Sequence, residues 1–320
     1  MTHPLLPAYR VVPWFSPRLW GTKDLSSFYP ERGAESEPIG EAWLTADRCP
    51  VPVNEAAGTL GELVRHHASH LFGSHARFDE FPLLVKFLFP QDRLSVQVHP
   101  DDVYAAARGL GRGKTEMWYV VSAQPGARLG VGLRAGCGLP ELEAACRSGR
   151  GAEVLNWFTV SAGDTIYLPA GAIHAIGPGV VLCEVQQQSD NTFRLDDYGR
   201  RDAQGRLREL HLEDGLAVAR PELGGRVTTG LGPMESGLLV ESPYFRVSRL
   251  LLKAGEHHFL PGGVLRVLAN FGADARLEIP GESEASSIFR RGHALVIPAG
   301  SLGVTLAGPA EVLEATLPGA

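Results

Sequence analysis

The stretch LSVQVHP, residues 94–100, alternates Leu94, Val96 and Val98 with Ser95, Gln97 and His99. A period of two predicts a strand with one apolar and one polar face, closed by Pro100. The run FPLLVKFLF, residues 81–89, is apolar throughout except for Lys86 and predicts a buried strand just before it. Similar short runs follow: TEMWYVVSA, WFTVSAGDTIYL, VVLCEVQQQ, and from residue 236 an almost unbroken series broken only by Gly and Pro turns. Helical spacing occurs in three places. Leu60, Leu63, Val64 and Leu71 mark one side of residues 60–73, DDVYAAARG follows the His99 strand, and residues 138–149 form a third segment. On the first helix His66 and His70 share a face but lack a Cys or carboxylate partner at ligand spacing, so they read as a solvated face. The pattern predicts a mainly β protein with a few short helices, arranged as sandwich or barrel.

A repeat refines this picture. Gly163-DTIYL-Pro169-Ala-Gly171-AI-His174 has the form G-x5-P-x-G-x2-H, and Gly292-HALVI-Pro298-Ala-Gly300-SL-Gly303 repeats it with Gly at the last position. Two copies of one strand-turn-strand signature predict two related β-domains, divided as 1–235 and 236–320, the second without a coordinating side chain.

Composition narrows the function. The 320 residues are 44% hydrophobic and 21% charged, with a formal net charge of −6 and no basic face, which argues against nucleic acid as partner. No run of 18 apolar residues exists, so no membrane helix is expected. The four cysteines, Cys49, Cys137, Cys146 and Cys183, form no Cys-x-x-Cys pair. Together with a first segment that lacks a signal-peptide pattern, they point to a reducing cytoplasm.

The candidate chemistry is a metal site. Gln97 and His99, two apart on a strand, project from one face. Sixteen residues separate His99 from Glu116, which opens the next strand, and 57 separate Glu116 from His174, which follows the Pro-Gly turn. Two imidazoles, a carboxylate and an amide oxygen make a mixed N/O set that suits Zn²⁺ and also Mn²⁺, Fe²⁺ or Co²⁺. Lys86 reads either as a chain reaching for the surface or as an anion ligand. Trp20, Trp43 and Trp118 read as core.

The G-x5-P-x-G-x2-H signature resembles the second motif of the cupin superfamily. LSVQVHPDD, GKTEMWYV and LPAGAIHAIGPG together resemble the type I mannose-6-phosphate isomerases, in particular their shorter bacterial form. RLWG (18–21), IGEAW (39–43) and EVQQQSDNTFRLDDYGR (184–200) extend the likeness across about residues 10–215. The resemblance implies two cupin-type jelly-roll β-barrels and one zinc ion per chain, held by Gln97, His99, Glu116 and His174. It implies Lys114 in the substrate pocket and Arg194 in proton transfer or stabilisation of the intermediate, with Glu184 and Asp190 in the same matched stretch. The implied reaction interconverts mannose 6-phosphate and fructose 6-phosphate through an enediol. The base is open between Glu184, by the chemistry of carboxylates, and a lysine of lowered pKa. Ser95, Lys86, Arg112 and Asp190 are candidates for binding the substrate and its phosphate. The expected partner is a small hexose phosphate and the expected state a monomer or homodimer. The alternatives are a non-catalytic sugar-phosphate-binding cupin and another cupin sugar-phosphate isomerase.

Overall fold

A computed structural model describes residues 5–53, 56–75, 78–202, 204–224, 226–228, 231–232, 235–279 and 287–318. A seven-stranded antiparallel sheet forms the centre. Its strands run, edge to edge, Arg226–Thr228, Thr165–Leu168, Glu116–Ala123, Val180–Gln187, Leu83–Leu88, Ala34–Trp43 and Trp14–Asp24. A five-stranded sheet faces it, in the order Leu155–Thr159, Arg128–Leu133, His174–Ile176, Val96–Val98 and Phe193–Asp196. Trp118, Val120, Ile166, Leu182, Leu129, Val131 and Ile176 fill the space between the two sheets, as in a jelly roll.

Alternation in the Val96–Val98 strand now has a physical meaning. Val96 and Val98 point outward, onto a core shared with Leu142, Cys146, Val218 and Leu195. That core is roofed by helices α3 (Leu139–Arg147) and α4 (Leu212–Val218). The polar side of the strand is therefore the inner one, and Gln97 pairs in register with His174. Helix α4 has no counterpart in the expected elements. Its Gly215 is there for contact: a Cβ would lie 2.4 Å from Cδ2 of Leu195 beneath it. The other helices fall where their spacing places them, α1 at Leu60–Phe72 and α2 at Asp102–Ala107. A capping box of Thr59 and Glu62 starts α1. His66 is exposed, as expected, whereas half-buried His70 has Nε2 3.2 Å from the Leu6 carbonyl.

A second pair of sheets repeats the architecture. Six strands, Tyr9–Val11, Ala294–Ile297, Arg266–Asn270, Ala310–Thr316, Arg246–Leu252 and Gly237–Glu241, face four, His257–Leu260, Val304–Ala307, Ala275–Glu278 and Ile288–Phe289. The two copies of the repeat occupy equivalent strand-turn-strand positions, Thr165–Leu168 into His174–Ile176 and Ala294–Ile297 into Val304–Ala307. The six-stranded sheet and α1 cover the outer face of the seven-stranded one in one continuous core that includes Val85, Phe87, Cys183, Val247, Val267 and Leu63. All four cysteines are free. Among the described residues no helix is long and apolar enough to cross a membrane.

Two motif glycines follow from the crossing of the Trp14–Asp24 and Ala34–Trp43 strands. A Cβ on Gly21 would fall 2.3 Å from the Ile39 carbonyl carbon, and one on Gly40 would fall 2.5 Å from Cβ of Arg18. This close crossing brings Arg18 over Glu41.

Candidate metal centre

His99, Glu116 and His174 each place a ligand atom so that all three lie within 4.8 Å of one another. Glu116 and His174 open two strands and His99 follows the end of a third, Val96–Val98, and each is nearly inaccessible, at 2% for His99 and 1% for the other two. The backbone fixes which nitrogen each ring presents. Nδ1 of His99 lies 2.8 Å from the Asn191 carbonyl and Nδ1 of His174 lies 2.9 Å from the Ala172 carbonyl. A carbonyl only accepts, so both Nδ1 atoms carry the proton and both Nε2 atoms present a lone pair. Burial, with Lys114 beside it, pushes His99 well below the ordinary histidine range. Burial likewise lowers His174 to about 4, so both rings are neutral near pH 7.

Those lone pairs face a carboxylate. His174 Nε2 is 3.4 Å from Glu116 Oε1, and His99 Nε2 is 3.5 Å from Glu116 Oε2. Among the described residues neither oxygen, nor His99 Nε2, makes a hydrogen bond, although all three are buried; the cation paired with the carboxylate there is Lys114, whose Nζ is 3.1 Å from Oε2. Acceptors converging with no proton between them repel, and a divalent cation among them removes that cost. Gln97 completes the set. Its amide lies 3.2 Å from His174 Nε2, with Ser95 Oγ 3.4 Å from the other end. The two ends of an amide exchange by a half-turn, which turns Oε1 to the ion and lets Ser95 accept instead of donate. The residues present fit a mixed N/O ion of the zinc type.

The loop before Glu116 is tied down on several sides. Gly113 N–H donates to Asp102 Oδ1 at 2.8 Å, Lys114 N–H to the Pro100 carbonyl at 2.9 Å, and Thr115 N–H to Gln187 Oε1 at 2.8 Å. Asp101, not Asp102, caps α2, accepting from Tyr104 N–H. Asp102 is thereby free to hold the loop that delivers Lys114.

The remaining candidates fall into three groups. Glu184 lies beside the centre, in register with Lys86 on one neighbouring strand and Trp118 on the other. Its Oε1 is 2.9 Å from Lys86 Nζ, and its Oε2 accepts from Trp118 Nε1 at 2.8 Å. Burial raises the Glu184 carboxyl, and the charge of Glu116 adds to this. Lys86 is 3% exposed and does not reach the surface. Burial alone would lower it, but Glu184 and Glu41 raise it, so it is a fixed cation. Arg194 stands opposite Gln97 on the edge strand, its Nη1 donating to the Glu209 carbonyl at 2.8 Å. Burial and nearby Arg208 lower it. Arg112 and Asp190 line a cavity of about 330 Å³ with Trp43, Glu80, Ser189 and Asn191, and Arg112 Nε is 3.3 Å from Glu80 Oε1. Among the described residues, no hydrogen bond or ion pair joins Arg194, Arg112 or Asp190 to the side chains of His99, Glu116 and His174.

Sequence reasoning missed Glu41 and the polar use of two tryptophans. Trp43 Nε1 donates to Glu41 Oε2 at 3.0 Å, as Trp118 does to Glu184. The one available signal was a lone Glu in the apolar motif IGEAW.

Fold and site together define a cupin-type metalloprotein: facing sheets whose inner walls converge on one buried set of metal-ligating side chains. The family model for the type I phosphomannose isomerase catalytic domain matches residues 14–116. The mannose-6-phosphate isomerase of Streptococcus mutans is 38% identical over 293 residues, covering 88% of this chain and 89% of that protein. The crystal structure of the mannose 6-phosphate isomerase from Bacillus subtilis superposes with a TM-score of 0.83 at 26% identity, covering 97% of this chain and 99% of the other. A mannose 6-phosphate isomerase solved with zinc and yttrium shares the fold, with a TM-score of 0.75 at 17% identity over 97% of this chain and 99% of that one. The chain belongs to the type I mannose-6-phosphate isomerase family.

Proposed function

We propose that the protein is a zinc-dependent aldose–ketose isomerase that interconverts mannose 6-phosphate and fructose 6-phosphate. The observation that carries this reading is the convergence of His99, Glu116 and His174, buried between two sheets in a chain of this family. Held by Gln97, His99, Glu116 and His174, the zinc ion would supply Lewis-acid charge for the oxygen that turns negative when C2 loses its proton.

The surrounding side chains suit the rest. Isomerisation removes a proton from C2, leaves its electron pair as the C1–C2 double bond of an enediol, and returns a proton to C1 while the hydroxyl and carbonyl exchange theirs. Glu184 is the base in this reading. Its carboxyl is raised by burial and lies within the same dry interior, which strengthens its hold on a carbon-bound proton. Lys86, flanked by two carboxylates, serves as a cation rather than as a base. Lys114, at Glu116, and Arg194, opposite Gln97, add fixed positive charge along the substrate oxygens. Arg112 and Ser95 are donors for the phosphate, and Asp190 an acceptor for sugar hydroxyls. The catalytic unit is assigned to residues 1–235 and a supporting β-domain to 236–320. The strand at Arg226–Thr228 still joins the catalytic sheet, whereas the strand at Gly237–Glu241 joins the second. A non-catalytic sugar-phosphate binder is not favoured, because the ligand set is whole.

The test is a coupled assay of fructose 6-phosphate formation from mannose 6-phosphate, before and after chelation. Activity is expected to vanish with the metal and return on adding Zn²⁺. Turnover that persists in metal-free protein overturns the mechanism.

A further inference from the structure

Four charges of alternating sign cross the inner face of the seven-stranded sheet. Arg18 Nη2 lies 2.6 Å from Glu41 Oε2, Glu41 Oε1 lies 3.3 Å from Lys86 Nζ, and Lys86 Nζ lies 2.9 Å from Glu184 Oε1. Side-chain exposure falls along the row from 31% at Arg18 to 8% at Glu41, 4% at Lys86 and 3% at Glu184. The two carboxylates are held alike. Each gives one oxygen to Lys86 and takes an indole N–H on the other, from Trp43 and Trp118. An ammonium has three donors, so its two carboxylate partners leave one proton of Lys86 without a partner among the described residues.

A row built for stability alone gains little from charge. Buried ion pairs seldom outperform apolar side chains of equal volume, and apolar side chains such as Val120, Ile166 and Leu182 fill much of the space between these sheets. The row ends at Glu184, whose partner Trp118 lays its ring against His174 of the metal cluster. Without Glu41, Lys86 would turn wholly to Glu184 and neutralise the carboxylate assigned as base. With Glu41, the ammonium is shared.

We propose that Glu41 is a positioning residue for the isomerisation: it clamps Lys86 from the side opposite Glu184, so that the ammonium keeps its charge and presents its third proton to the substrate oxygen. This inference rests on the isomerase reading. Arg18 anchors Glu41 from outside, and the Gly40–Arg18 crossing fixes that anchor.

Kinetics of E41Q test it. The variant is expected to lose about 10- to 100-fold in kcat, a typical cost for one misplaced electrostatic group, with KM within about threefold and zinc content unchanged. E41D should recover part of the loss. The double variant E41Q/K86M should be no slower than K86M, because the effect of Glu41 runs through Lys86. Should E41Q fold poorly, R18M, at the partly exposed end, should show a weaker loss of the same kind. A kcat within twofold of wild type, or additive losses in the double variant, overturns the proposal. A readout independent of turnover is the ¹⁵N resonance of the Lys86 ammonium, which faces Glu184, Glu41, Asp190 and Glu116. It should deprotonate at lower pH in E41Q than in wild type. An unchanged titration also overturns the clamp. Wild-type protein inactive on mannose 6-phosphate sinks the isomerase reading instead, and the titration then decides the clamp alone.

Discussion

At the scale of single residues, the site is set by which atoms are denied a proton. Two backbone carbonyls hold the Nδ1 protons of His99 and His174, and burial keeps both rings neutral. A histidine whose folded pKa is depressed contributes stability above its unfolded value, near 6.5, and that contribution is lost as pH falls toward the folded value, about 4 for His174. Glu41 acts in the same sense lower down. Burial would raise it, but Lys86, Arg18 and the Trp43 indole bring it to about 2, so its contribution fades as pH drops below its unfolded value of 4.5. Glu184, raised by burial, has the opposite sign, but above pH 4.5 it is one group against the two histidines. Metal-free protein is therefore expected to lose stability between pH 6.5 and pH 4, read as a falling midpoint in urea titrations. A midpoint that is flat or rising over that interval contradicts the assignment of neutral, buried imidazoles.

Among elements, the strands were legible and their facing was not. Alternation located Val96–Val98 and the turn signature located His174, because each is a local pattern of side chains. Neither says which face is inward. That depends on α3 and α4 covering Val96 and Val98, and α4 carries a glycine that hides it from helical spacing. Lys86 was ambiguous for a related reason, since its partners lie on two other strands, 45 residues before it and 98 after it. The connection from α2 to the Glu116 strand carries Gly109, Gly111 and Gly113, and its structure shows why the last is needed. A Cβ on Gly113 would lie 2.5 Å from backbone atoms of both Asp101 and Asp102, which cannot yield as a side chain would. G113A should push the loop off the start of α2 and carry Lys114 and Glu116 with it. The expected result is a loss of about 1–3 kcal/mol in stability, the usual cost of overpacking, with weaker zinc retention on dialysis. Full zinc occupancy and unchanged stability would show that the loop does not govern the metal ligand.

The whole molecule departs from a picture of two independent β-domains joined by a linker. One hydrophobic core holds the outer face of the catalytic sheet, helix α1 and the six-stranded sheet together, with Met117, Val185, Phe72, Phe245 and Ala315 among its members. The connection runs both ways along the chain. Strand Tyr9–Val11, from the start of the chain, pairs with Ala294–Ile297 near its end, and Tyr29 O–H donates to the Gly292 carbonyl at 2.9 Å. Arg249, 1% exposed, donates Nη1 to the Tyr119 hydroxyl of the catalytic sheet at 3.3 Å and Nε to the Glu235 carbonyl at 2.8 Å. The repeat records two similar units, and the strands of the second, with Gly303 where the first has His174, pack on the first unit's outer face. Units that share a core cannot unfold separately without exposing it, so the free energy of each is bound to the other. Calorimetry of the zinc-loaded chain should accordingly show one transition, with calorimetric and van't Hoff enthalpies in agreement. Two resolved transitions would mean that the shared core contributes too little to couple the halves. The outer face of the catalytic sheet, and with it the strands that carry Glu116 and Glu184, would then hold its shape without the second unit.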